Sequence, residues 1–520
     1  MRRSGSTRGL RWDRAPPDGN AIATAWVDES GDLRYPRPAV PRANRIARTL
    51  ASLVLGLSVP ATAAEPAAPS RSPVPSVSHA ATEASAAKAP CPRCNVLLVT
   101  FDALRADRLG AYGHSKPTSP AIDELAARST VFLRNLSQSG STISSVPSLH
   151  TGKFPHTDRL LDDGKLRDSE DTLAEILSRA GYRTMAVIAH RYASCEWGGC
   201  QGFEKVDSDY EAPEAAETTL ERAHKMLASN DREPFFLWIH FRVPHTPYAP
   251  GRDAFLAFYD GPDDAPKYYE GESPNAPIPF QTQRLLRAYR ERGEPVTNFR
   301  ALGGRLDLTP SIVSQLGALY DGNVRAGDTA FGKLLKSLPA EQADRTLVVI
   351  ASDHGESLGA HERVGHNTLY QDVVHTPLIV HVPGRKGARV EVPTMNVDVL
   401  PTVLAAVGQP VPAGLRGVDL LGSLPPRTRP ILAEYSNGQV IVIDGWALHS
   451  GRQPHLFDLR TDPGETKNVA KERPDRVRDL EVELEAIRES VDEKAAERED
   501  TPVLEKLRAL GYISDDQPVE

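Results

Sequence analysis

The chain lacks the features that mark several large classes of protein. No uninterrupted run of roughly 18 apolar residues occurs in its 520 residues, so the sequence predicts no membrane-spanning helix in the mature chain. It also lacks a basic excess: the net charge is −8, which argues against a general nucleic-acid-binding protein. With 40% hydrophobic and 25% charged residues, the composition is that of a globular protein. The length accommodates one large α/β domain and a smaller one.

Cysteine is scarce, and the four cysteines fall into two close pairs, Cys91 with Cys94 and Cys195 with Cys200. In an exported protein such cysteines are oxidised. Pairing within each couple is the simplest interpretation, and a cross-pairing stays open. A CxxC pair also occurs in redox sites and in half zinc sites, but Cys91 is followed by Pro and Arg and has no βαβ context. A structural role is therefore favoured.

The N-terminal part of the chain does not read as part of a fold. Residues 1–41 show no hydrophobic periodicity, so the sequence predicts neither a structure nor a role for them. Residues 42–63 place three arginines before a short apolar run and an Ala-Thr-Ala site, which is the layout of a secretory signal peptide, although it lies unusually far from Met1. An alanine-rich tail with incidental arginines is the alternative interpretation. Residues 64–93 are rich in Ala, Pro and Ser and indicate a linker. We therefore expect an exported protein, periplasmic or secreted.

From residue 94 onward, strand and helix patterns alternate. Apolar strand patterns at 95–101, 183–189, 234–240 and 346–352 are separated by helical patterns at 119–128, 171–181, 214–229 and 311–338. This alternation predicts an α/β fold with a mixed, mainly parallel sheet sandwiched by helices. Residues 251–309 are rich in Pro, Gly and charge and indicate a long insertion. We expect a catalytic domain over 94–424.

The pattern of predicted elements changes after about residue 425. Short strand patterns at 430–435, 439–443, 446–449 and 456–459 follow one another at hairpin spacing, and a charged amphipathic helix is predicted at 474–495. Residues 425–520 are therefore expected to form a small C-terminal antiparallel α+β subdomain.

Two of the buried strands end in acidic residues. The run from Asn95 closes with Asp102, and the run ending about 250 residues later closes with Asp353 and His354. In open α/β sheets, ligands bind beyond the carboxyl ends of the strands, which is where both carboxylates are expected. Two carboxylates and an imidazole in one place would suit a divalent metal ion. The alternative is that each Asp only caps the helix that follows its strand.

An ordered set of motifs resembles the sulfatase-like hydrolases of the alkaline phosphatase superfamily, over nearly all of residues 94–515. The motifs are V-T-F-D-A-L-R-A-D-R-L-G at 99–110, T-G-K-F-P at 151–155, P-H-T-P-Y at 244–248, S-D-H-G-E-S-L-G at 352–359, D-V-L-P-T at 398–402, L-F-D-L at 456–459, D-P-G-E at 462–465 and L-R-A-L-G-Y at 507–512. A single motif of this kind carries little information, whereas the ordered set is specific.

The resemblance implies that Thr142 is the nucleophile, because the family's nucleophile lies nine residues before the threonine that is Thr151 here. The segment after Thr142 reads as a helix start, whose N–H groups and positive dipole end suit an anionic phosphate or sulfate. Coordination to a cation would activate the weakly nucleophilic hydroxyl. The expected metal ligands are Asp102, Thr142, Asp353 and His354, holding one divalent ion such as Zn, Mn, Mg or Ca. A cap of the following helix is the alternative role for Thr142.

The sequence departs from the family at this position. Sulfatases proper carry a Cys or Ser in a C/S-x-P-x-R-like motif, which is converted to formylglycine, whereas this chain reads T-I-S-S-V at 142–146. An unmodified threonine instead resembles the phosphodiesterase and phosphoethanolamine-transferase branches. The resemblance of the whole chain implies a sulfatase, while the nucleophile favours phosphate esters.

Histidines are the remaining candidate polar groups. His245 and His366 resemble substrate-contacting histidines of the family, and His366 also matches in spacing a second-metal histidine of the transferase relatives. His240 and His361 are weaker candidates. The Asp that often precedes Pro-His in relatives is Val243 here, which argues against a full second metal site from that side. Asp321 and Asn323, on the long predicted helix, are as readily solvated as functional.

Together these features predict an exported, metal-dependent hydrolase that cleaves an anionic sulfate or phosphate ester. One alternative is a transferase that passes a phospho-group to a lipid or glycan, although such relatives usually carry membrane helices. The other is a non-catalytic binding protein on the same fold. The sequence does not identify the substrate or the oligomeric state.

Overall fold

The structure is a computed structural model that describes residues 89–261 and 310–490, except 209, 211–214, 231–232, 247, 249 and 437. It also describes two short antiparallel strands, Trp26–Val27 and Leu33–Arg34. Contacts divide the chain into two compact units, Met1–Thr82 and Glu83–Glu520. The signal-like segment 42–63, the linker as far as residue 88, residues 262–309 of the predicted insertion and the motif at 507–512 lie outside the described residues.

A large eight-stranded sheet organises the second unit. Its strands are β1 (Asn95–Asp102), β2 (Thr130–Leu136), β3 (Arg183–Ile188), β4 (Lys205–Asp207), β5 (Phe235–Pro244), β6 (Thr346–Ser352), β7 (Leu378–His381) and β8 (Ala388–Met395). They lie in the order β8-β2-β7-β6-β1-β5-β3-β4. All pairs are parallel except those of β7, which runs antiparallel to both of its neighbours. The predicted mixed, mainly parallel sheet is confirmed.

The two central strands explain how the acidic residues meet. Every residue of β1 and β6 is buried, as expected for continuous apolar runs in a sheet covered on both faces. The two strands pair in parallel register, from Thr346 beside Asn95 to Ser352 beside Phe101. The residues that follow this last pair, Asp353 and Asp102, therefore emerge side by side at the carboxyl edge of the sheet.

Helices cover both faces of the sheet. They are α1 (Pro120–Ala126), α2 (Thr142–Thr151), α3 (Leu173–Arg179), α4 (Ala216–Ala228), α5 (Arg252–Phe258), α6 (Pro310–Ser337), α7 (Ala340–Ala343), α8 (Gln371–Val374) and α9 (Val399–Val407). Alternate residues of β1 enter two separate cores, one shared with α1, α4 and α6 and the other with α2, α3 and α9. None of the described helices is long and apolar enough to cross a bilayer.

The helices predicted from sequence are α1, α3, α4 and α6, with ends that differ by a few residues. The start of α3 is fixed by a capping box, in which Thr172 and Glu175 each bond the backbone N–H of the other. Gly181, the last residue of the helical pattern at 171–181, adopts a left-handed φ of 85° just beyond this helix.

Shorter elements complete the large domain. Two-residue strands pair as Leu161–Asp162 with Lys165–Leu166 and as Ser357–Leu358 with Val364–Gly365. Single 3₁₀ turns occupy Ala106–Arg108, Gly110–Tyr112, Arg191–Ala193, Cys195–Trp197, Ala360–Glu362 and Asn396–Asp398. The cysteines pair within each couple, Cys91 with Cys94 and Cys195 with Cys200, as the simplest interpretation of the sequence predicted.

The predicted small antiparallel sheet is confirmed. Its strands β9 (Ile431–Tyr435), β10 (Gly438–Ile443), β11 (Trp446–His449) and β12 (His455–Asp458) pair in chain order. Helix α10 (Pro474–Glu489) packs on this sheet through Val477, Leu480 and Leu484. It ends at Glu489, before the predicted end at 495, and residues 491–495 lie outside the described part of the chain.

An ion pair between Asp398 and Arg429 stabilises the segment that connects the two sheets. Asp398 is fully buried and accepts two hydrogen bonds from Arg429, at 2.8 and 2.9 Å. It also accepts the backbone N–H groups of Met395 and Val418, each at 2.8 Å. All these bonds depend on one carboxylate, so its loss leaves the Arg429 side chain, which is only 11% exposed, without its charge partner.

We therefore expect Asp398→Ala to lower the free energy of unfolding by about 3–5 kcal/mol, measured by urea denaturation. The matched control is Arg427→Ala, which breaks an exposed pair with Glu391 at 3.9 Å. That change should stay within about 1 kcal/mol of the wild type. Equal losses in the two variants would contradict the role given to Asp398.

Candidate functional site

Four neighbouring strands deliver polar side chains to one edge of the sheet. The strands β6, β1, β5 and β3 are adjacent and mutually parallel, so their carboxyl ends meet. Asp353 and His354 follow β6, Asp102 ends β1, His245 follows β5 and His190 follows β3. The candidate site lies at this edge, as the position of the acidic residues predicted.

Asp102, Asp353 and His354 form the group expected to bind a metal. One ligand atom from each residue lies within 4.8 Å of the others, and all three side chains are fully buried. The His354 Nε2 atom is 3.7 Å from Asp102 Oδ1 and 3.5 Å from Asp353 Oδ2. These three predicted ligands are therefore brought together.

The carboxylates are short of hydrogen-bond donors. Asp353 Oδ1 accepts the N–H groups of Ala103, at 3.1 Å, and His354, at 2.9 Å. Within the described part of the chain, its Oδ2 and both oxygens of Asp102 accept no hydrogen bond. Asp102 therefore caps no helix, which removes that alternative for this residue. Buried carboxylate oxygens without donors are costly unless a cation neutralises them, so the group fits a divalent metal ion.

The local electrostatics point the same way. Burial opposes the protonation of His354, but the carboxylates of Asp353 and Asp102 outweigh it and raise the pKa of the ring. Burial raises the pKa of Asp102, against the opposing effect of His240 and His354. Both shifts favour the proton-bound forms of these residues, so the site gains stability when positive charge is added to it.

Thr142 lies beside this group. It is the first residue of α2 and is buried, with its Oγ1 atom 3.1 Å from His354 Nε2. The side chain of the preceding residue, Ser141, makes no capping hydrogen bond to the helix. The N–H groups of Ser144 and Ser145 donate to the Ser141 carbonyl, at 3.1 and 2.9 Å. The N–H groups of Thr142 and Ile143, at the positive end of the helix dipole, are therefore the ones that can serve an anion beside Thr142.

His245 and His366 face each other next to His354. Their Nε2 atoms are 3.1 Å apart, and the rings of His354 and His366 stack with centroids 4.5 Å apart. The Nδ1 atom of His366 lies 3.1 Å from the carbonyl oxygen of Gly140, and that of His245 lies against the carbonyl oxygen of Thr246. Because a carbonyl only accepts, both Nδ1 atoms carry the proton, and both Nε2 atoms present lone pairs to the site.

A bulge in β5 explains the position of His245. Phe241 pairs with Phe101, but the next pair joins Pro244 to Asp102, so two extra residues stand in β5. The N–H of His245 then donates to the carbonyl of Asp102 at 3.1 Å. The irregularity brings His245 beside the metal-binding group.

Gly140 is required for the approach of His366. A Cβ atom at Gly140 would lie 2.2 Å from the carbonyl oxygen of Thr368. The missing side chain lets the N–H of Asn367 donate to the Gly140 carbonyl at 2.9 Å. The loop that carries His366 is thereby held against the start of α2.

Two buried residues of the site were missed from the sequence. His190 Nδ1 lies 2.6 Å from Asp102 Oδ2, and burial lowers its pKa to about 3. The rule that located Asp102, a polar residue just beyond a strand, would have found it. Glu356 is fully buried, and burial raises its pKa to about 7. It stood within a motif, but nothing in the sequence gave it a role.

The two weaker histidine candidates, His240 and His361, lie in different parts of the structure. His240 is buried within β5, bonds Thr100 at 2.8 Å and places its Nε2 atom 3.9 Å from Asp102 Oδ2. His361 instead stacks on Tyr370, with ring centroids 3.7 Å apart, and does not belong to the metal-binding group.

Asp321 and Asn323 are both buried. The sequence had left open whether these residues are exposed to solvent or part of the site, and the structure shows that they are not exposed. Asp321 pairs with Arg108 at 3.1 Å and lies 3.5 Å from His114 Nε2. Asn323 lies 3.5 Å from the carbonyl of Pro244. Both residues thus join helix α6 to the segments around the site.

Comparison with known proteins gives one family. Residues 94–409 match the family model described as Sulfatase. The chain is 25% identical over 428 residues to the Delta 4,5-hexuronate-2-O-sulfatase of Bacteroides thetaiotaomicron, covering 73% of this chain and 85% of that protein. It is also 25% identical over 450 residues to arylsulfatase K of Gallus gallus, covering 76% of this chain and 82% of that protein.

Solved structures share the fold. BT4656, in complex with its substrate D-glucosamine-2-N,6-O-disulfate, superposes with a TM-score of 0.60 at 20% identity, covering 78% of this chain and 100% of that one. The phosphonate monoester hydrolase of Agrobacterium radiobacter has a TM-score of 0.60 at 22% identity, covering 76% and 95% of the two chains.

A cation in the metal-binding group should stabilise the folded protein, because it binds the two carboxylates only when they are brought together. At a concentration about 100 times its dissociation constant, it adds about 2.7 kcal/mol. We expect added Mn²⁺ or Zn²⁺ to raise the melting temperature of the wild type, measured by scanning calorimetry. Asp102→Asn should abolish that rise, whereas Asp168→Asn, whose side chain is 91% exposed, should keep it. An undiminished rise in Asp102→Asn would show that the cation binds elsewhere.

Proposed function

Since the chain belongs to the sulfatase family of ester hydrolases, we propose that it cleaves an anionic ester with Thr142 as the nucleophile, and that phosphate esters are the preferred substrates. The single observation that carries this proposal is the position of the Thr142 hydroxyl. It stands at the first turn of α2, 3.1 Å from His354 Nε2, an atom that is itself 3.7 Å from Asp102 Oδ1 and 3.5 Å from Asp353 Oδ2.

The proposed metal ligands are Asp102, Asp353, His354 and Thr142. A divalent cation bound there would lower the pKa of the hydroxyl and offset negative charge on the ester oxygens. The first-turn N–H groups of α2 would hold the anionic group in line with Thr142 Oγ1.

The reaction then has two balanced displacements. The Thr142 hydroxyl loses its proton to solvent, its oxygen bonds the ester phosphorus, and the bond from phosphorus to the leaving oxygen breaks. The leaving oxygen takes up a proton. Water next attacks phosphorus, the bond to Thr142 Oγ1 breaks, and phosphate departs with the hydroxyl restored. His245 and His366 are the proposed substrate-binding residues, because their Nε2 atoms lie 3.1 Å apart and both rings lie against His354, beside Thr142.

Two observations support phosphate over sulfate. The first is the threonine at position 142, which cannot become formylglycine as a Cys or Ser does. The second is that all four cysteines of the chain lie in disulfides, so no thiol is available for that conversion. The relatives named sulfatases support a sulfate ester as the substrate. The fold shared with a phosphonate monoester hydrolase is compatible with either a sulfate or a phosphate ester.

We further propose that the protein is exported, with 42–63 as the signal segment, 94–424 as the catalytic domain and 425–520 as a subdomain. Two disulfides in a chain of this size are typical of an oxidising compartment, which supports export.

The test compares hydrolysis of an aryl sulfate, an aryl phosphate and a diaryl phosphate in the presence of divalent metal. We expect turnover of a phosphate ester, and a loss of kcat/KM by about three orders of magnitude or more in Thr142→Ala, because the attacking atom is removed. Thr142→Ser should keep measurable turnover. Mass spectrometry of quenched enzyme should find a phosphoryl group on the peptide that contains Thr142.

The control is Thr329→Ala, which removes an exposed hydroxyl on α6 and should leave kcat/KM unchanged. Sulfate turnover that survives Thr142→Ala would overturn the nucleophile. An absence of turnover on all three esters, with no metal bound, would favour the non-catalytic alternative.

A further inference from the structure

We infer that Arg242 binds a second negatively charged group of the substrate, so that the ester cleaved at Thr142 carries a carboxylate on its other part. The inference rests on the proposed function and deepens it, because it names the class of substrate that the same site takes. Four observations support it: the place of Arg242 in β5, the contact of its guanidinium with the site, its lack of an ion-pair partner and its separation from the reacting group.

The bulge in β5 directs Arg242 to the face of the sheet that carries Thr142. Relative to β1, the bulge adds Arg242 and Val243 just before the position opposite Asp102. Val243 enters the core that β1 shares with α1, α4 and α6. Because successive side chains of a strand point to opposite faces, Arg242 lies on the other face, where α2 packs and Thr142 begins that helix. Bulges next to active sites often redirect a side chain in this way.

The guanidinium of Arg242 lies beside the ring of His245. Arg242 Nη2 donates to the carbonyl oxygen of Thr246 at 3.1 Å, and the same oxygen accepts the proton of His245 Nδ1. Burial is the main cause that lowers the pKa of His190 and of His245, and the positive charge of Arg242 is the next. The charge of Arg242 therefore acts on the histidines at the ends of β3 and β5.

Arg242 has no carboxylate partner. Its side chain is half-buried and forms no ion pair within the described part of the chain. Two other arginines near the carboxyl edge are paired, Arg105 with Asp107 at 2.7 Å and Arg108 with Asp321 at 3.1 Å. A guanidinium has several N–H donors in a planar fork, which matches the two oxygens of a carboxylate. Arg242 thus presents unused donors of the type that binds this group.

The reacting group has its own partners elsewhere in the site. Thr142 lies against His354, and the free N–H groups at the start of α2 lie beside it. Among the described residues, the Arg242 side chain donates a hydrogen bond to Thr246 and to no other residue. Arg242 is therefore available to a part of the ester other than the group that Thr142 attacks.

The competing role for Arg242 is to offset the buried charge of Asp102. Burial raises the pKa of Asp102, whereas His240, His354 and Arg242 oppose that rise. A residue with this role alone would affect every anionic ester equally. A binding residue for a second group would affect only the esters that carry the group, and this difference is what the experiment measures.

The experiment determines Kd by isothermal titration calorimetry, with Mn²⁺ present, in the full-length Thr142→Ala chain, which lacks the attacking hydroxyl. The ligands are ortho-, meta- and para-carboxyphenyl phosphate. Each is compared with the carbamoylphenyl phosphate of the same shape, which lacks the second charge. We expect at least one carboxylate ligand to bind about tenfold more tightly than its amide counterpart. Adding Arg242→Gln should weaken that ligand until the two Kd values agree within about twofold.

The matched control is Arg179→Gln, which removes an exposed guanidinium of α3 that pairs with Asp171 at 2.8 Å. It should keep the preference for the carboxylate. Arg242→Met serves as the test if Arg242→Gln does not give the wild-type circular dichroism spectrum.

The outcomes separate this inference from the proposed function. Equal Kd values for carboxylate and amide in all three isomers, or a preference that survives Arg242→Gln, would overturn the inference. If the wild type also hydrolyses the amide-bearing phosphates, the proposed function stays intact in that case. A carboxylate preference that Arg242→Gln removes, in a wild type that hydrolyses none of these phosphates, would uphold the inference and overturn the proposed function.

Discussion

The site depends on the burial of two carboxylates at one edge of a parallel sheet. Removing charged groups from water is costly, and Asp102 and Asp353 are both fully buried. The protein supplies only two N–H donors to Asp353 and none to Asp102 among the described residues. Positive charge beside these oxygens would offset the remaining cost, and this is the physical argument for the proposed cation between the two carboxylates.

The surrounding structure keeps these carboxylates from moving apart. The Ser352 hydroxyl oxygen accepts the N–H of Leu104 at 2.9 Å, which links the residues after β1 to the end of β6. The Asn396 amide donates to the Ser352 carbonyl at 2.7 Å. These bonds join separate loops at the carboxyl edge, so the rigidity of the two apolar strands extends into the polar residues beyond them.

The central strands and the main residues of the site could be predicted from the sequence. Continuous apolar runs identify buried parallel strands, and the polar residues after them locate the site. Asp102, Asp353 and His354 were found in this way, and the structure brings them together. The strand order could not be read, since it depends on which strands pair across the sheet. His190 follows a predicted strand and could have been noticed, but its position beside Asp102 depends on the order β1-β5-β3 in the sheet.

Other features were missed because their local patterns are weak. The strands β2, β7 and β8 received no assignment. β7 has only four residues, and β8 contains a proline, lies at the edge of the sheet and has an exposed first half and a buried end. The bulge in β5 also leaves no sequence signal, although it sets the position of His245. Such features follow from tertiary packing rather than from residue preference.

Tyr320 connects the carboxyl edge of the large sheet to helix α6. Its hydroxyl accepts the N–H of Arg105 at 2.9 Å and donates to the carbonyl of Ala103 at 2.6 Å, so the turn after Asp102 is tied to helix α6. Helix α5 packs on α6, and the residues between these helices in the chain are 259–309. The helices at both borders of that interval thus pack together, and one of them is bonded to the turn after Asp102. A change in the number of residues between the two helices would therefore leave both Tyr320 hydrogen bonds in place.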